Sequence, residues 1–268
     1  MNFRRNETYV AAFEESTDHA TGATVIGVVA VPARWVRPAH AYWHRHLKRW
    51  GLPRDVELHA TELARGKGAV RDIYPRFPRG AGIGKRDHAR RIGRLLIRQS
   101  LRRIASINEI RVGIFCIPTP RIPLAYAEAF SAVGAGIALR ASSRGIARVG
   151  HVLIDGQDRK LPRVHYEASY LLYRSARLPG RLRRRQEWIM GGATLAESHL
   201  TELIQMADII AFAGLKAHLG DPLTGAYARG DLAGYASSCW RRNIDVTDTC
   251  IAAGVSVYGA SALARAVP

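Results

Sequence analysis

Asp208 is the residue that asks most of its surroundings. It stands inside the aliphatic run Leu203-Ile204-Gln205-Met206-Ala207-Asp208-Ile209-Ile210. A helix cap does not explain it, because the apolar pattern continues past it. A carboxylate among aliphatic neighbours is unfavourable unless an arginine or a bound cation compensates its charge. Other acids interrupt or end apolar segments in the same way. Glu14-Glu15 follows the β-rich run Tyr9 to Phe13, Glu57 lies in Val56-Glu57-Leu58-His59-Ala60, and Asp155 closes Val152-Leu153-Ile154. Carboxylates that end different strands and converge with one from a helix form a cage of hard oxygen donors, suited to Mg²⁺ or Mn²⁺. Two such ions can activate a water and stabilise the leaving oxygen of a phosphodiester. Glu14, Glu15, Asp155 and Asp208 are the candidate metal-holding and catalytic carboxylates, with Glu57 contributing a ligand or polarising the water.

The charge balance fits that chemistry. The chain has 268 residues and a net charge of +18, from 40 Lys and Arg against 22 Asp and Glu. Thirty-five of the basic residues are Arg. So large a surplus points to a polyanionic partner, DNA or RNA first. Its clearest concentrations are the i,i+4 row Arg90, Arg94, Arg98 and Arg102, and the loop Arg177 to Arg185 with Arg181, Arg183, Arg184 and Arg185. These are the candidate backbone contacts. For the row, the alternative is an ordinary solvated helix face.

Composition and motifs exclude several classes. Hydrophobic content of 47% is that of a globular chain rather than a disordered one. Three cysteines with no CxxC argue against a disulfide framework or a cysteine zinc site and for a reducing cytoplasm. The apolar stretch Val25 to Val31 is too short to span a bilayer, and Ile204 to Leu219 is broken by Asp208 and Lys216, so no membrane segment is expected. Gly80 to Lys85 is reminiscent of a phosphate loop, but its spacing fails and Arg86 stands where Ser or Thr belongs. His40 and His44 have zinc-ligand spacing, with His46 close by, but no third or fourth ligand follows in a recognisable pattern.

The elements that must position these groups read as an α/β domain. A hairpin is expected from the runs Tyr9 to Phe13 and Thr24 to Val31, with Glu14 to Gly22 as a polar turn. Pro38 to Trp50 has helical content, and Gly66 to Gly84 reads as a loop. In Lys85 to Ile107, Ala89, Ile92, Leu96, Ile97, Leu101 and Ile104 recur at helical spacing. Arg111 to Ile117 and Val149 to Ile154 read as strands, Leu124 to Ser142 and His199 to Leu219 as helices, and Trp188 to Ala196 as a mixed segment with room for a strand. No domain boundary is evident. The expectation is a single α/β domain over 1–268 with a mixed central sheet flanked by helices. Its core runs from about 9 to 215, with a basic loop at 175–187 and a C-terminal extension at 220–268.

Four segments together resemble a known family. Phe13-Glu14-Glu15-Ser16, Glu57-Leu58-His59-Ala60, Val152-Leu153-Ile154-Asp155, and Glu197-Ser198 followed by Ile204 to Ile210 look like the hallmarks of domain of unknown function 3800. The closing helix motif is the most specific of them, and the resemblance covers about 9 to 215. It implies an RNase H-like fold and a divalent-metal-dependent nuclease. Asp208, Asp155 and Glu57 match the family's later acidic positions, and Glu15 and Ser16 match its N-terminal motif. Glu14 stands where Asp is usual. Gln205, one turn before Asp208, would share its face, and His59 would assist proton transfer or make a structural hydrogen bond. The expected function is cleavage of phosphodiesters in DNA or RNA with Mg²⁺ or Mn²⁺. The alternative is a nucleic-acid-binding protein of the same fold whose catalysis is impaired.

Overall fold

A computed structural model describes residues 7–107, 109–117, 129, 147–155, 193–196, 201–219 and 256–257. The expected helix Leu124 to Ser142, the basic loop at 175–187 with Arg181, Arg183, Arg184 and Arg185, Trp188, and nearly all of the 220–268 extension lie outside the described residues.

The chain forms an α/β structure around one mixed sheet. The strands are β1 (Glu7–Asp18), β2 (Ala23–Pro32), β3 (Arg111–Ile117), β4 (Ala147–Asp155), β5 (Ala193–Ala196) and β6 (Ser256–Val257), in the order β5-β4-β1-β2-β3-β6. The four long strands make its centre. β1, β2 and β3 form an antiparallel meander, while β4 runs parallel to β1 and β5 parallel to β4.

The hairpin is longer than its apolar runs suggest. Pairing continues from Tyr9↔Pro32 to Asp18↔Ala23, so Glu14, Glu15 and Ser16 lie within β1 rather than in a polar turn. The turn itself is tight. Gly22, at φ +70°, donates its amide to the Asp18 carbonyl, and the Asp18 carboxylate accepts from the Thr21 amide at 3.0 Å and hydroxyl at 2.7 Å. A turn closed this firmly lets both polar flanks stay extended.

Helix α5 (Glu202–His218) lies across the sheet, with α1 (Val36–Arg49), α2 (Ala60–Ala64) and α4 (Lys85–Ala105) packed beyond it in the same apolar core. In α4 the predicted apolar face is the buried one, and Ile92, Leu96, Leu101 and Ile104 all sit in that core. Gly66 to Gly84 is not a featureless loop. It carries the short helix α3 (Val70–Ile73) and a 3₁₀ turn at Tyr74–Arg76, because Val70 and Ile73 are fully buried. No described helix is long and apolar enough to cross a membrane.

Two glycines set the layer spacing. A Cβ on Gly27 of β2 would lie 2.4 Å from both the Ala207 carbonyl oxygen and the Ala211 amide nitrogen of α5. A Cβ on Gly93 of α4 would lie 1.8 Å from the Leu63 carbonyl oxygen of α2. Both obstacles are backbone and neither can rotate away. Gly27→Ala should therefore destabilise the chain by about 1–3 kcal/mol through overpacking alone. Urea denaturation measures this, and an unchanged midpoint would mean that α5 does not rest on position 27.

Candidate functional site

The sheet register brings two of the acids side by side. β1 and β4 are parallel, and their last registered pair is Phe13↔Ile154. One step further places Glu14 beside Asp155 on adjacent strands, about 4.8 Å apart along the hydrogen-bonding direction. The strand period of two then fixes the side. Ala12 and Leu153 face the core beneath α5, so Glu14 and Asp155 do too. Glu14 also pairs with Gly27, the position against which α5 is pressed. Ser16 follows on the same side, and Glu15 alternates to the opposite face of β1.

Helix α5 supplies the third acid. The Asp208 Oδ2 accepts the Ala60 backbone N–H at 2.7 Å. Gln205, one turn earlier and fully buried, holds two other elements in place. Its Oε1 accepts the Trp43 indole N–H of α1 at 3.3 Å, and its Nε2 donates to the Val56 carbonyl at 3.2 Å. Asp208 and Gln205 thus clamp both ends of the segment that carries Glu57. Within that segment the His59 imidazole lies 3.1 Å from the Glu57 carboxylate. Asp208, Gln205, Glu57 and His59, dispersed in sequence, form one contiguous group.

The charges of the other four candidate acids all act on Glu14, Glu15 doing so from the opposite face of β1. Glu14 is driven well above the ordinary carboxylate range, first by burial and then by the charges of Glu15, Asp208, Asp155 and Glu57. Its Oε2 is buried with no hydrogen-bond partner among the described residues. Asp208 is pushed up to about 6, first by burial. The Ala60 N–H and His59 pull against that shift, and Glu15 and Asp155 add to it. A low-dielectric cluster of like charges has a strong electrostatic demand for a cation or for protons. Among the described residues, no three His, Cys, Asp or Glu side chains stand in a ready-made metal-ligating arrangement.

Sequence reasoning missed one partner. His40 and His44 of α1, left without a third group by spacing alone, meet Glu202 in the first turn of α5. His40 Nδ1 lies 2.8 Å from its Oε2, and His44 Nε2 contacts its Oε1. Burial opposes the Glu202 charge, but hydrogen bonding from His40 and from its own backbone, with the nearby imidazoles, outweighs it and holds the carboxyl below its usual range. This contact ties α1 to the start of the helix that carries Asp208. Only the fold could reveal it, since an acid in a first helical turn is ordinary. The arginine row is less exposed than a plain solvated face. Arg90 is ion-paired with Asp87 at 3.3 Å, Arg94 and Arg98 are half-buried, and only Arg102 is fully exposed.

No protein-family model matches the chain, and no curated protein matches it.

Replacing Asp208 by Asn removes one charge while leaving an oxygen to accept from Ala60. Asp208 titrates near 6 in the fold against an ordinary 3.8. Between those values the folded state binds more protons than the unfolded one, so this group's contribution to stability falls as pH rises and is least favourable above about 6. In the presence of chelator, D208N should be more stable than the parent at pH 8, by on the order of 1–3 kcal/mol. The difference should shrink as pH falls through 6. Denaturant titration across that range checks it, and equal stability at pH 8 would mean that Asp208 bears no charge strain.

Proposed function

We propose that the chain is a divalent-metal-dependent nuclease of RNase H-like fold, cleaving DNA or RNA at the acidic cluster. The observation that carries this reading is the convergence on Glu14. Acids from β1, β4, α5 and the segment before α2 all raise its affinity for a proton. An antiparallel meander continued by parallel strands, with acids at the junction, supports the RNase H-like assignment. The +18 surplus supports a polyanionic substrate.

The donor set suits Mg²⁺ or Mn²⁺, since it is made of carboxylate oxygens, and burial raises the proton affinity of two of them. Glu14, Asp155 and Asp208 would hold the metal, and Glu57 would contribute a ligand or orient water. The bound cation would supply Lewis acidity at the scissile phosphate. The protein's own contribution is positional. Gln205 and the Ala60 amide fix the approach of the Glu57 segment, and His59 stands 3.1 Å from the Glu57 carboxylate, within reach of a proton transfer. Exposed arginines such as Arg102, and the basic loop, would hold the phosphate backbone.

One observation favours the second reading. Glu14 is a methylene longer than the Asp expected there, and burial with the surrounding acids raises its affinity for a proton, which competes with a cation. A protonated carboxyl is a poor cation ligand. On that reading the chain binds nucleic acid without cutting it.

The test is incubation with labelled single- and double-stranded DNA and RNA in Mg²⁺, Mn²⁺ or chelator. Cleavage should require the metal and should fall by on the order of 10²-fold or more in D155N and D208N. Salt-sensitive binding without cleavage, with activity gained in E14D, would select the second reading. Absence of binding at moderate salt would overturn both.

A further inference from the structure

A cavity of about 300 Å³ opens between the C-terminal halves of α1 and α4, lined by His46, Arg49, Gln99, Arg102, Arg103 and Ser106. That volume is at the small end of ligand pockets. None of the five clustered acids lines it, and no acidic side chain among the described residues does. Its polar groups are three guanidiniums, an amide, a hydroxyl and an imidazole. The imidazole adds no charge. The His46 Nε2 shares a 2.9 Å hydrogen bond with the buried Ser100 hydroxyl, and burial, then the charges of Arg103 and Arg49, bring its pKa down to about 4.

The arginines are held rather than loose. The Arg103 guanidinium carbon lies 3.4 Å from the centre of the Tyr42 ring, and that of Arg45 approaches the same ring at 5.0 Å. Burial weakens the hold of Arg103 on its proton, Tyr42 opposes this, and the charges of Arg49 and Arg45 add to it. Like charges are therefore concentrated here.

Basic residues are common at helix C-termini, where they face the last carbonyls. At both ends, backbone or hydroxyl groups already serve those carbonyls. The Trp50 amide bonds the Leu47 carbonyl and the Gly51 amide bonds that of Lys48. The Ser106 amide bonds the Arg102 and Arg103 carbonyls, and its hydroxyl bonds that of Arg103 at 2.7 Å. Capping does not account for three guanidiniums around a cavity. A tetrahedral oxyanion suits such a lining, because an arginine fork matches two of its oxygens at once and the Gln99 amide adds a neutral donor.

We propose that this cavity is a phosphate-binding site separate from the acidic cluster, taking either a backbone phosphate of a nucleic acid or the phosphate of a small molecule. Its lining shares no residue with the acidic cluster and only Arg102 with the backbone contacts of the nuclease reading, so the small-molecule arm stands apart from that reading.

The test uses the full chain in chelator and two double variants. R49Q/R102Q strips the cavity, and K85Q/R86Q removes the same charge from exposed positions at the opposite end of α4. Calorimetric titration with pyrophosphate reads the small-molecule arm. Anisotropy of a short labelled oligonucleotide across a salt series reads the nucleic-acid arm. Pyrophosphate should bind one per chain, and R49Q/R102Q should weaken it by about tenfold or more while K85Q/R86Q leaves it nearly unchanged. If nucleic acid is the source, the slope of log K against log salt should also fall by about 1–2 in R49Q/R102Q alone. If a small molecule is the source, only the pyrophosphate arm responds. Equal losses in the two variants, or no response in either arm, would overturn the site. Thermal melting of each variant confirms that the surface changes leave the fold intact.

Discussion

Helix α5 reaches the sheet only because position 27 has no side chain. The Ala207 carbonyl and the Ala211 amide occupy the space a Cβ would need. That contact fixes the depth of α5. It lowers Asp208 toward the level of Glu14, which pairs with Gly27 across the hairpin, and of Asp155, which lies on the next strand. The rest of the site follows from this placement. With α5 at that depth, Gln205 can reach the Trp43 indole on one side and the Val56 carbonyl on the other, and Asp208 can cap the Ala60 amide. A helix held a few ångströms higher would leave Asp208 solvated and the Glu57 segment unanchored.

The same depth creates the charge problem. Carboxylates under a helix exclude the water that would otherwise screen them, so each raises the proton affinity of its neighbours. In Glu14 and Asp208 burial is the leading cause, and the other acids add to it. A fold under selection for stability alone would replace such a cluster with apolar side chains of similar volume. At Asp208 the hydrogen bond from Ala60 and the charge of His59 both pull the carboxyl back toward its ionised form.

Much of this was legible in the sequence, and the reasons are specific. Asp208 announced itself because an acid in an aliphatic helix violates the pattern around it. The α4 face followed from helical spacing, and Ile92, Leu96, Leu101 and Ile104 are buried accordingly. The hairpin was visible in its β-branched runs. What stayed hidden depended on pairing over long sequence distance. The extension of β1 through Asp18 is imposed by β2 and by the Asp18–Gly22 turn, against the polar character of Glu14 to Thr17. Glu202 as the partner of His40 and His44 is a meeting of α1 and α5 that no spacing rule encodes. The arginine cavity was partly visible, because Arg102 belongs to the periodic row. Arg49 and Arg103 join it only through the packing of two helix ends.

The two kinds of charge in this chain are governed by different physics. The acids interact under a helix, where the local dielectric is low and salt penetrates little, so their mutual repulsion persists across ordinary ionic strengths. The exposed arginines interact with their surroundings through water, over a screening length of about 8–10 Å at physiological salt. On the proposed function, a polyanion approaching the chain would therefore meet a long-range attraction that salt can tune, before a short-range acidic centre that salt cannot. The acids do not repel it from afar, because 22 of them, few in the cluster, are outnumbered by 40 basic residues. On that reading, holding and chemistry would fall to separate residues because one interaction is screened and the other is not. If the proposed function holds, substitutions in the arginine surface should alter how tightly a phosphate is held, and substitutions in the carboxylates what happens to it once there.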